Sequence, residues 1–128
     1  GGGLSSKVIK ISRGNVASGS VSYTGVGFKP TVAIFSPSDS GAGNGACASP
    51  LAISGIGVID SARNQFATYL LGAGSGDNFG AFVCYWNDTN SNFLQGTLTS
   101  YDADGFTISW VKNGTLPGTM YWAVLCLK

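Results

Sequence analysis

Carboxylates and thiols are the groups in this sequence that could do chemistry, and they are few. The acids are Asp39, Asp60, Asp77, Asp88, Asp102 and Asp104; there is no Glu and no His. Without His, Ser-His and Cys-His nucleophilic machinery is excluded. Two Asp could in principle flank a glycosidic bond. Each, however, lies among turn residues, where Asp stabilises a chain reversal through its own backbone. Isolated turn aspartates are the simpler reading, so no catalytic residue and no enzyme activity is expected. Asp102-x-Asp104-Gly105 echoes the start of a calcium loop, but the later ligand positions and the closing Glu are missing. Asp104-Gly105 is a hairpin signal instead.

The thiols are Cys47, Cys84 and Cys126. Cys84 and Cys126 sit in alternating apolar runs, where free Cys behaves as a small hydrophobe, and Cys47 lies in a loop. Buried or incidental thiols are the main reading and a disulfide the alternative. With no Cys-x-x-Cys and no His, no zinc site is expected, nor any other metal or cofactor.

Trp86, Trp110 and Trp122 could form a sugar-stacking platform, but each has apolar neighbours of the same parity, which favours the core. One exposed Trp or Tyr near residues 87–92 would keep a carbohydrate-binding reading open. Asn87-Asp88-Thr89 and Asn113-Gly114-Thr115 are glycosylation sequons in form and simple turns in the plainer reading. Gly25-Val26-Gly27 and the glycines of 41–45 are not phosphate loops, since no helix with Lys-Ser/Thr follows. Gly1 and Ser5 have the myristoylation spacing if a Met preceded them; a loose arm is the plainer reading.

The elements that must position these residues read as strands. Gly accounts for 20 of 128 residues, against about 7% on average, and long helix formers are scarce. Both features favour an all-β fold with many turns. Large apolar residues alternate at 106, 108 and 110 and again at 120, 122, 124 and 126, the period of a half-buried strand. Asn113-Gly114 and Pro117-Gly118 lie between, so residues 105–128 read as a β-hairpin with an extended loop. Residues 121, 123, 125 and 127 make the last strand's other face apolar, which places it inside a sheet and covered above and below. Residues 31–36 read the same way.

Further strands are expected over residues 8–13, 18–23, 51–60, 79–86 and 93–101. Residues 64–71, where helix competes, also read as a strand. Residues 37–50 and 72–78 read as loops. About eight or nine short strands at this spacing indicate an antiparallel β-sandwich, jelly-roll-like. Residues 1–7 form a flexible arm and residues 8–128 a single domain. Net charge is +1, too little for a nucleic-acid or anionic-membrane surface. No apolar run is long enough for a spanning helix.

Residues 20–36 (SVSYTGVGFKPTVAIFS), 95–110 ending in DGFTISW, and 118–128 together resemble small all-β accessory structural proteins of tailed bacteriophage virions, and residues 8–14 fit the opening strand of such proteins. The resemblance implies a virion location, in a capsid decoration or a tail fibre, and attachment without chemistry. It implies other virion proteins as partners and a homo-oligomer, with a trimer favoured. The contacts would fall on the arm, including Gly1, Gly2, Gly3 and Leu4, and on residues 38–49, including Asp39 and Asn44. The second expectation is a lectin-like module binding host-surface glycans.

Overall fold

A computed structural model describes residues 3–38, 53–71, 77–88 and 91–128. Cys47, Gly1, Gly2, Asp39 and Asn44 lie outside the described residues. Ten strands form two antiparallel sheets. In chain order they are β1 (Ser6–Arg13), β2 (Gly19–Tyr23), β3 (Val32–Pro37), β4 (Ile53–Ile59), β5 (Gln65–Leu71), β6 (Asp77–Gly80), β7 (Cys84–Asn87), β8 (Phe93–Asp102), β9 (Gly105–Asn113) and β10 (Met120–Leu127). One sheet runs β1-β10-β3-β4-β5-β6, the other β2-β9-β8-β7. The fold is a β-sandwich. It is jelly-roll-like where β1 and β2 pair with β10 and β9, and becomes two meanders, β3 to β6 and β7 to β9.

Alternation decides which side chains meet between the sheets. Phe106, Ile108 and Trp110 of β9 point inward, as do Met120, Trp122, Val124 and Cys126 of β10, and all are buried. These two strands are not a hairpin, contrary to the expectation for residues 105–128. β9 pairs with β2 and β8, and β10 with β1 and β3. Each strand carries one large apolar face, and stacking those faces across the interior buries both. The rings of Trp110 and Trp122 meet there with centroids 5.7 Å apart. Leu116, buried in the intervening link, crosses between the sheets with it.

Two other expectations are corrected. The strand expected over 79–86 is split: β6 pairs with β5, then Phe82 and Val83 turn into the interior, and β7 pairs with β8. The arm is shorter than residues 1–7, because Ser6 and Lys7 pair with Leu127 and Cys126. Ser5 extends the pairing: its amide donates to the Lys128 carbonyl at 3.1 Å, and the Lys128 amide donates back at 3.0 Å.

Gln65 is a buried polar residue of β5 whose role pattern alone does not disclose. β7 ends opposite Gly96, so the N–H and C=O of Leu98 lack a strand partner on that side. Gln65 supplies both partners across the interior: its Nε2 donates to the Leu98 carbonyl and its Oε1 accepts from the Leu98 amide, each at 2.9 Å. The register of β8 on β9 slips between Leu98 and Ser100, next to this graft. Gln65→Ala leaves two interior backbone groups unsatisfied and is expected to cost about 2–4 kcal/mol in chemical denaturation.

Candidate functional site

The four aspartates whose side chains are described all serve turns. Asp60 and Asp88 close two loops of the same design, Asp-Ser-Ala-Arg-Asn (60–64) and Asp-Thr-Asn-Ser-Asn (88–92). In each, Oδ1 accepts from the backbone amide of the final Asn and Oδ2 from its side-chain amide, at 2.9 and 3.0 Å in the first and 3.0 and 2.7 Å in the second. The fourth residue of each, Arg63 and Ser91, has a φ of 67° and 66°. The shared conformation belongs to the turn type, which explains left-handed backbone at Arg63 without a functional role. Asp102 accepts from the hydroxyls of Ser100 at 2.8 Å and Thr107 at 2.7 Å.

Asp104, at the tip of the β8–β9 hairpin, fills an anion-binding cradle. Gly25 and Gly27 have φ of 94° and 88°, which turns three successive amides to one side. The Asp104 carboxylate accepts from the Gly25 amide at 3.0 Å and the Gly27 amide at 2.5 Å, and its carbonyl accepts from Val26 at 3.1 Å. These bonds favour the charged form and hold the carboxyl below its ordinary value of 3.8. A depressed folded pKa adds stability above 3.8 that is lost as pH falls through the folded value. Asp104→Asn is therefore expected to lower the melting temperature at neutral pH. The gap to wild type should close in melts recorded progressively below the ordinary value.

The described thiols are not poised as nucleophiles. Cys84 and Cys126 are free and buried. Burial pushes Cys126 up to about 11 and Cys84 well above its ordinary value, and a neutral thiol is a poor nucleophile. Among the described residues no cluster of three His, Cys, Asp or Glu side chains could hold a metal. Lys29, Ser61, Arg63, Ser100 and Tyr101 line a shallow polar depression. Arg63 there donates to the Thr99 carbonyl at 2.5 Å.

All three Trp are buried, so none offers a stacking face. Tyr85 does. It points outward beside Asn87, half-buried, with Phe82 stacked at 4.8 Å and Phe93 nearly parallel at 6.3 Å.

The two outer faces of the sandwich differ in chemistry. The four-stranded sheet presents Ser20, Ser22, Gln95, Thr97, Thr107 and Ser109, a hydroxyl-rich surface bordered by Val111, Tyr85 and Phe93. The six-stranded sheet presents a row that register places side by side on five strands: Val8, Leu125, Ile34, Val58 and Phe66. Ile56, Leu70 and Phe79 extend it. Exposure reaches 42% at Val58, 64% at Phe66 and 79% at Phe79, so these side chains stand in solvent. The outward positions of β10 and β3, and those described on β4 and β5 from Ser54 to Val58 and Phe66 to Leu70, include no charged residue.

β10 and β3 are central in their sheet, as their doubly apolar patterns require, but no described strand lies over their outer faces. Among the described residues the expected second covering layer is absent, because the other sheet has only one inner face to give. Of the contact residues expected from sequence, Gly3 and Leu4 are exposed just ahead of β1. The second expected contact segment, residues 38–49, lies outside the described residues except for Ser38. The apolar row was absent from the sequence reading, although alternation of Phe66, Thr68 and Leu70 against Ala67 and Tyr69 held its signal. Comparison with protein-family models, with curated proteins and with solved structures finds no match.

Proposed function

We propose that this chain is a non-enzymatic structural module that works by surface contact, as a capsid decoration or tail-fibre component of a tailed-phage virion. The observation that carries the contact role is the outer face of the six-stranded sheet, apolar and without a charged residue at the outward positions described on its four middle strands. Contiguous exposed apolar surface on this scale marks interaction sites in soluble proteins. The commitment of Asp60, Asp88, Asp102 and Asp104 to turns supports the absence of chemistry. The virion assignment rests on the resemblance in residues 20–36, 95–110 and 118–128. Purified protein should co-sediment with phage particles lacking it, and Val58→Lys should abolish that binding. Turnover of a substrate, or failure of the wild-type protein to associate with any particle, would overturn the reading.

A second reading, a lectin-like module for host glycans, is favoured by one observation: the half-buried Tyr85 and its parallel neighbour Phe93. Selective binding on a glycan array that Tyr85→Ala removes would support it.

A further inference from the structure

We propose that two copies of this chain pair face to face through the outer surface of the six-stranded sheet, with Ile34 at the twofold axis. The inference rests on the contact role above and takes the pair as the form that attaches, so that Val58→Lys would lose particle binding by splitting the pair.

Three observations point to a second copy. The first is charge. The outward side chains described on the four middle strands carry none. A charged or strongly polar partner would bury its groups there without counterparts, whereas the middle strands of a second identical face bring no such groups. The second is shape. The row Val8, Leu125, Ile34, Val58, Phe66 has Ile34 at its centre. A twofold axis through Ile34 parallel to the strands lays Leu125 over Val58 and Val8 over Phe66, so every member meets an apolar partner. The same operation lays Lys10, at the β1 margin, against the level of Thr68 on β5 rather than against a second Lys10. Sheets stacked in this way pack about 10 Å apart with their strands within about 30°.

The third is area. Strands about 4.8 Å apart, rising about 3.3 Å per residue, give the five strands that overlap about this axis a flat footprint on the order of 550 Å². The corrugated accessible surface is larger. A stable pair buries about 800 Å² per partner, so the face is of the size a lasting isologous contact needs. The outer face of the four-stranded sheet is smaller, and hydroxyls run across its middle.

The test is the solution mass of the full chain by light scattering across a dilution series, for wild type, Val58→Lys, and Ser109→Lys on the opposite sheet. Wild type and Ser109→Lys should show twice 13.1 kDa. Val58→Lys should weaken the dimer by at least about 100-fold, since it buries an unpaired charge. Its circular dichroism should be unchanged, because the side chain points to solvent in one copy. A monomeric wild type at high concentration overturns the proposal, as does a Val58→Lys variant that folds and still dimerises. A trimer of three times 13.1 kDa overturns the twofold arrangement. A monomeric wild type that still binds particles, with Val58→Lys unable to, rejects the second copy and leaves the contact role standing. A dimer that binds no particle does the reverse.

Discussion

Trp110→Ala is expected to cost about 3–5 kcal/mol, a large share of the roughly 5–15 kcal/mol that holds a domain of this kind. The indole is buried where the two sheets meet. It packs on Trp122, its Nε1 donates to the Tyr23 hydroxyl at 3.0 Å, and the Arg13 guanidinium lies 5.8 Å from its ring centroid. Beneath it is Gly96, its register partner on β8. A Cβ at Gly96 would come within 2.7 Å of the ring. The ring is buried and packed on Trp122, so Gly96→Ala alone should destabilise by about 1–3 kcal/mol. In the Trp110→Ala background the same change should be close to neutral, because the atom it strikes is gone. Denaturant melts of the four proteins form a double-mutant cycle, and additivity within about 0.5 kcal/mol would refute the contact.

Gly105→Ala should be at least as damaging for its size. A Cβ there would stand 1.8 Å from the Tyr23 carbonyl oxygen and 2.8 Å from its carbon. Both atoms are backbone, so β2 itself must retreat. That retreat would loosen the pairing of Tyr23 with Phe106 and pull Gly25 and Gly27 from Asp104. The expected loss is about 3 kcal/mol, the upper end for overfilled sites. Gly19→Ala is the control. Gly19 lies in β2, the strand that Gly105→Ala would displace, with nothing near its missing Cβ, and Ala there should be neutral or stabilising by about 0.5–1 kcal/mol. Equal melting temperatures for the two variants would show that space at Gly105 is not the constraint.

Most of the strands were legible because alternation is a local property. Phe106, Ile108 and Trp110 declare a strand from three residues, and Asp104-Gly105 declares the reversal before it. Pairing is not local. The step from β9 to β10 reads as a hairpin because Asn113-Gly114 and Pro117-Gly118 suit one, and nothing in residues 113–119 states that the chain changes sheets. The split at Gly80 was hidden for the same reason: residues 79–86 are apolar throughout, whichever sheet they join. Gln65 was illegible because its partner, the Leu98 backbone, lies 33 positions away and is orphaned only because β7 ends early. The apolar outer face was partly visible. The doubly apolar patterns of β3 and β10 were read correctly as central strands, but periodicity cannot distinguish a face covered by the same chain from one left open.

The exchange of hydrogen bonds between Ser5 and Lys128 has a mechanical consequence. β1 and β10 run antiparallel from that point, with Ser6 opposite Leu127 at the first rung and Arg13 opposite Met120 at the last. Tension drawn between residues 5 and 128 would therefore load the rungs one after another, like a zipper, and peel β1 away at low force. A molecule gripped by its broad face would carry the same load across many rungs at once. This sandwich is therefore far stronger held by its broad face than pulled between residues 5 and 128.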